Sequence, residues 1–389
     1  MLRKTILILT LILILPSIVF CDDIDNTEKI IDEQLKNLRL DELQKLIVEI
    51  NNTSNQYLPK IQFKQFIISL IKGEQVINVE EILTGILKII FNEVIANSYL
   101  LGKLLILSII FAILTNLQSA FEKNTISKLS FYVCYLVLLS IAIKSFTIGM
   151  GIGKQAIEDM VVFIQALLPV LITLLVAVGG IASSALFQPI ILGAVSVIST
   201  LMKDIILPLI FFSAIIGIVS KMSERIQISR LSSLIRQISI AIIGFTMTIF
   251  IGVMSIQGAT TAKVDGLTIR TAKFAVDSFI PIVGGFISDA MDTVVGCSMV
   301  LKNAVGVVGL IALFIVCIIP IIKLLSLILI YKVVCVVIEP ISDSKIVDCL
   351  NEISNSIFLI FATVTSVGVM FFISISIIIG AGNLTLLMR

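Results

Sequence analysis

The feature that most constrains this chain is a series of apolar stretches, each near 20 residues long, recurring from about residue 100 to residue 380. An α-helix rises 1.5 Å per residue, so about 20 apolar residues cross the ~30 Å hydrocarbon layer of a bilayer. The stretches fall at about 100–121, 129–148, 160–181, 185–202, 205–220, 238–257, 304–322, 324–339 and 357–380. Composition agrees: 58% of residues are hydrophobic and only 14% are charged, against about 45–50% and 25% in soluble domains. A soluble fold with that excess lacks the polar groups to cover its surface. The expected fold class is all-α, a polytopic helical membrane protein with about nine transmembrane helices.

The N-terminus reads as an export signal. Arg3 and Lys4 precede an apolar stretch from Ile6 to about Leu15, and Asp22 and Asp23 follow abruptly. A basic start, a short apolar core and a polar switch describe a signal peptide over residues 1–21. Residues 22–98 then form an extracytoplasmic region of short amphipathic helices, with 13 acidic against 8 basic side chains. Ile30, Ile31, Leu35 and Leu38 recur at helical spacing, as do Leu43, Leu46, Ile47 and Ile50. Asn78 and Glu81 resemble an N-cap with its capping-box partner, opening a helix that runs toward Ser98. Residues 99–257 hold the first six transmembrane helices, 258–303 a semi-polar segment, and 304–389 the last three.

Lysine and arginine placement tests this map, because cytoplasmic loops are enriched in both. With Asp22 outside, Lys123 and Lys128 fall inside, as does the densest basic loop: Lys221, Arg225, Arg230 and Arg236. Lys323 and Arg389 also fall inside, which makes the C-terminus cytoplasmic. Glu339, Asp343, Asp348 and Glu352 fall outside. Were the third and fourth stretches a re-entrant hairpin, every later loop would invert. The basic loop serves foremost as a topology signal, with contact to anionic lipid or a cytoplasmic partner behind it.

Catalytic chemistry has few parts to work with. The chain has no His, which excludes Ser–His, Cys–His and HExxH arrangements. Of six Cys, none forms a CxxC pair, and only Cys297 and Cys349 fall where both could face an outside compartment. No enzyme, cofactor or metal site is expected, and no nucleic-acid partner. Gly149-Met150-Gly151-Ile152-Gly153 reads as a loop; no Walker Lys-Ser/Thr pair follows it. Pro169, Pro189, Pro208 and Pro320 read as kinks.

The segment Gly258 to Asn303 is too charged for ordinary lipid-facing helix. It carries Lys263, Asp265, Arg270, Lys273, Asp277, Asp289, Asp292 and Lys302, and Pro281, Gly284 and Gly285 break it midway. Gly285, Asp289, Asp292 and Gly296 share one small, acidic helical face; small residues let helices approach closely. Carboxylates at membrane depth must face water, a cation or a partner. Two readings stand side by side. In one, a broken hairpin enters the membrane and lines an aqueous path. In the other, an amphipathic element lies in the outer interface.

Longer motifs carry a family resemblance. Gly258–Leu310, Leu167–Pro189, Ser229–Ser239, Ser342–Ser356 and Ile377–Arg389 resemble the stage III sporulation protein AE family. The resemblance is strongest from about residue 160 onward. It implies a non-enzymatic subunit of the channel, or feeding tube, joining mother cell and forespore during endospore formation in a Firmicute. Implied too are a mother-cell membrane location around the forespore and partners among the membrane and ring proteins of the same operon. A forespore-membrane partner across the intermembrane space and a YidC/Oxa-type insertase complete the implied set. The residues themselves leave two further readings: a stand-alone secondary transporter using Asp289 and Asp292, and a scaffold recruiting other subunits.

Overall fold

The computed structural model describes residues 43–48, 66–69, 79–120, 125–222, 228–279, 284–341 and 344–387, and among them every regular element is helical. Single turns of helix occupy 43–48 and 66–69. Eight longer helices follow: α1 (Val79–Ala96), α2 (Ser98–Ala120), α3 (Thr125–Ala177), α4 (Ile181–Thr200), α5 (Leu207–Met222), α6 (Ser229–Phe279), α7 (Gly284–Ile338) and α8 (Ser344–Leu387). A π-helical turn, Leu201–Ile206, joins α4 to α5 without a break. The signal-peptide stretch lies outside the described residues, as does most of 22–78.

Continuity of the helices revises the span count. Among the described residues, five stretches are long and apolar enough to cross a membrane: Leu136–Ala177, Ile181–Lys221, Ser229–Gly258, Thr293–Ile338 and Lys345–Ala381. A sixth arises if Leu83–Ala96 and Ser98–Ile110, bent by 46°, form one span. The expected second and third spans are both part of α3, the fourth and fifth form one rod through the π turn, and the seventh and eighth are both in α7.

Each merger has a local cause. The Gly149–Gly153 run is helical, not a loop, and its glycines form a contact stripe. Gly149 faces Leu327 and Leu324, and a Cβ at Gly153 would come within 2.5 Å of Ile360 Cγ2. Small residues four apart are a seam for close helix packing. At the second junction, Pro208 has no N–H for the Asp204 carbonyl and its ring crowds that group. The widened turn just before it, closed by the Leu207 N–H on the Met202 carbonyl, accommodates the proline without ending the helix. Lys203, which looked like a span boundary, reaches Glu158 on α3 at 3.2 Å.

α3 and α4 connect through a tight reversal. Gly179 has φ of 91°, Gly180 N–H donates to the Leu175 carbonyl at 2.9 Å and Gly179 N–H to the Val176 carbonyl at 2.8 Å. These bonds define a Schellman ending, which needs a left-handed residue and so favours glycine.

The helices pack as an up-and-down bundle. α3 and α7 are antiparallel: Tyr331 Oη donates to the Ala142 carbonyl at 3.3 Å, Cys317 meets Met160, and Gly309 lies against Leu167. α8 runs alongside α3, with Ile360 at Gly153 and Gly368 near Met160. One continuous core results, with Phe146, Phe163, Phe187, Tyr331 and Phe371 fully buried. Outward faces carry exposed apolar side chains such as Phe212, Phe245, Leu329 and Phe358, as a lipid-facing surface requires.

Candidate functional site

Two clusters of polar side chains tie the bundle at its two ends, and a third lies midway. At the first end, the end of α5 and the start of α6 meet the end of α7 and the start of α8. Lys221 Nζ lies 3.0 Å from Asp348 Oδ2, and Arg236 pairs with Glu352. Gly217 leaves room for the Glu352 side chain, since a Cβ there would collide with it. Ser213 and Ser232 hydroxyls each donate to the other's backbone carbonyl, at 2.9 and 2.8 Å. Lys332 Nζ donates to Asn351 Oδ1 at 2.6 Å. The Arg225 side chain lies outside the described residues, and Arg230 stands exposed at the start of α6.

These contacts correct the expected topology. The nine-span map puts 221–236 and 339–352 on opposite faces of the membrane; ion pairs hold them together on one. Three spans were expected between the two loops, and two helices, α6 and α7, are found. α8 then runs to the far end, so the end of α8 and the basic loop lie at opposite ends of the bundle. The cysteines are revised with it: Cys349 lies at the ion-paired end, Cys297 near the other, and both are buried and in no disulfide.

At the far end are the described members of the Gly258–Asn303 segment. α6 is described to Phe279 and α7 from Gly284, and Pro281, where a break is expected, lies outside the described residues. Asp265, 1% exposed, accepts from Ala182 N–H at 2.9 Å and from Ser183 N–H at 3.2 Å. Those are the second and third residues of α4, whose N-cap Gly180 offers no side chain. A carboxylate from α6 therefore does what an N-cap side chain normally does, meeting orphan N–H groups at the positive end of a helix.

Lys302 is fully buried, and its Nζ donates to the Ile379 carbonyl of α8 at 2.8 Å. Beside it, Asn303 Oδ1 is buried with no hydrogen-bond partner. Gly258 faces Ile377, whose Cγ2 would lie 3.2 Å from an added Cβ. A Cβ at Gly296 meets nothing within 4 Å; the close approaches are at Gly306, against Ile379, and Gly309, against Leu167. Arg270, Lys273 and Asp277 fall in the helical backbone of α6, and Gly285, Asp289 and Asp292 in that of α7; their side chains lie outside the described residues.

The third cluster was not singled out from sequence. Gln155 and Asp159 on α3, Lys203 and Asp204 in the π turn, and Lys323 on α7 interrupt the apolar rods near mid-length. In the sequence they fill short gaps between apolar stretches. Only the fold shows that those gaps are helical and lie side by side.

Residues 61–382 match the stage III sporulation protein AE family. The chain belongs to that family. It is 39% identical over 368 residues to stage III sporulation protein AE of Bacillus subtilis (strain 168), covering 95% of this chain and 92% of that protein. No solved structure matches. The family assignment thus extends well upstream of residue 160, into the region where the sequence motifs are weaker.

Proposed function

We propose that this member of the stage III sporulation protein AE family is a non-enzymatic membrane subunit of the channel complex between mother cell and forespore. The observation that carries the reading is the match to the Bacillus subtilis stage III sporulation protein AE across nearly the whole of both chains. The apolar bundle supports residence in a membrane, and the family resemblance supports the mother-cell membrane around the forespore as that membrane. Its partners are the other membrane and ring proteins of the same operon, a forespore-membrane protein across the intermembrane space, and a YidC/Oxa-type insertase for assembly. A stand-alone transporter is not favoured by this family.

The ion-paired end, with Lys221, Arg225, Arg230 and Arg236, is cytoplasmic by the positive-inside rule. The α6–α7 hairpin and the end of α8 then face the intermembrane space. This orientation keeps the basic loop inside and moves the C-terminus outside. Asp265 and Lys302 are engaged within the fold, so they hold the hairpin on the bundle. Arg270, Lys273, Asp277, Asp289 and Asp292 are left as its assembly face or conduit wall.

Complementation tests the function. This chain, expressed in a Bacillus subtilis strain lacking its own protein, should restore late forespore gene expression and spore formation. Expression at normal level in the membrane fraction without restored sporulation refutes the reading. Accessible-cysteine labelling at residues 225 and 387 tests the orientation: only the second should react from outside the cell.

A further inference from the structure

Two charged side chains on the outside of the bundle interrupt otherwise apolar rods. Asp204 stands exposed in the π turn, between apolar runs at 185–202 and 205–220. Lys154 stands exposed on α3, between apolar runs at 129–148 and 160–181. Among the described residues, neither side chain has an ion-pair or hydrogen-bond partner. The pair beside them, Lys203 and Glu158, closes within the chain at 3.2 Å. That contact fixes the levels of the two unpaired charges. Lys154 lies one turn before Glu158 on α3, about 6 Å along the axis. Asp204 follows Lys203 on a helix that runs the opposite way, which carries it toward the level of Lys154. The two charges therefore lie within about 5 Å of each other along the bundle axis.

A bilayer alone offers no good depth for Asp204. At headgroup depth, one of its two flanking apolar runs would stand in water. Within hydrocarbon, a bare carboxylate is costly. Lysine can reach along its own stem toward the headgroups; aspartate has no such reach. A protein neighbour with a cation at the same level removes both costs. The face around Asp204 has the shape for a close neighbour. Ala185, Pro189, Gly193, Ser196 and Thr200 are all exposed, at helical spacings of three and four that continue to Asp204. Small side chains let helices approach closely. A Cβ at Gly193 meets nothing within 4 Å, so packing within the chain makes no use of this face there.

We propose that α4 and the π turn form the contact between two copies of this chain, with Lys154 of each copy paired to Asp204 of the other. The copies are related by a two-fold axis parallel to the bundle. Such an axis keeps every group at its level and brings the same patch of both copies face to face. One unpaired cation and one unpaired anion on a single patch are then complementary to themselves. With Glu158 and Lys203, each copy brings two cations and two anions, so the contact is neutral. A different membrane protein would have to carry the same two charges in matching places at the same depth; a second copy carries them by symmetry. Self-association of this kind requires residence in a membrane and nothing else from the proposed function.

The test is co-recovery of two differently tagged full chains, made together in a host without sporulation proteins and extracted in mild detergent. Native copies should co-purify. Lys154→Glu sets acid against acid at both contacts of its own dimer, and Asp204→Lys sets base against base. Each should lower co-recovery with itself about tenfold, because like charges across an interface oppose association. Lys154→Glu mixed with Asp204→Lys has an opposite pair at both contacts, so this combination should return close to the native level. A pair formed within one chain would be broken in each variant and not restored by mixing. Absence of native co-recovery, single variants that self-associate as the native chain does, or a mixed pair no better than either variant alone overturns the proposal. Co-recovery of native copies only when other sporulation proteins are present also overturns it, because a third protein then bridges them. If the charge variants are not monodisperse, position 193 decides. Gly193→Ala, still small, should keep native co-recovery, and Gly193→Leu should lower it about tenfold; equal co-recovery of those two overturns the proposal.

Discussion

Asp265 is a carboxylate placed by tertiary structure at the start of a helix 83 residues earlier in the chain. Replacing it with alanine removes the acceptor for two backbone donors, one of them, Ser183 N–H, buried. A hydrogen bond to a charged group contributes about 1.5–3 kcal/mol, and a buried donor left without a partner costs about 1–3 kcal/mol. The bonds at 3.2 and 3.3 Å to Ser183 are long, so the lower figures apply, and Asp265→Ala should destabilise by about 3 kcal/mol. Asp265→Asn keeps an acceptor oxygen but loses the charge, and should cost roughly half as much, since neutral bonds are about half as strong. Thermal unfolding of the purified protein in mild detergent, read by near-ultraviolet dichroism, should rank native above Asn above Ala. An alanine variant as stable as the native protein would show that the carboxylate does not hold α4, and the account of the hairpin's attachment would fall with it.

Other positions give independent checks. Gly153→Val puts a branched side chain against Ile360 and should destabilise by about 1–3 kcal/mol through overpacking, seen as lower recovery of monodisperse protein; Gly193→Ala, where an added Cβ meets nothing within 4 Å, is the matched control. Arg236→Glu and Glu352→Arg should each destabilise by about 3 kcal/mol, as expected for a broken, poorly exposed pair; the double exchange should recover much of the loss in a double-mutant cycle. Cys297, Cys317, Cys335 and Cys349 are buried and in no disulfide, so a maleimide should modify them only when denaturant opens the bundle. Full modification of the folded protein would contradict the packing.

The sequence was most legible where a physical signal is local. The expected helix after Asn78 corresponds to α1, which begins at Val79. Apolar length identified the membrane-crossing material, but it could not tell two spans from one long rod. Residues 149 to 153 looked like a loop because glycine is common in loops; here Gly149 and Gly153 serve packing against α7 and α8. Lys203 looked like a boundary because a charge in lipid needs a partner, and Glu158 is 45 residues away in sequence. Parity carries each such error forward: one missed merger reverses the side assigned to every later loop. The pairing of Arg236 with Glu352 was therefore hidden, although both residues were noted as loop charges.

The ion-paired end also has a consequence in time. Lys221 and Arg236 leave the ribosome 127 and 116 residues before the carboxylates that neutralise them. At about 5–20 residues per second, that is a wait of roughly 6–25 seconds. A nascent chain halted before α8 has no mate for either cation. Such a fragment differs from the finished product by two bare charges at one end of the bundle, a difference that quality-control machinery can read.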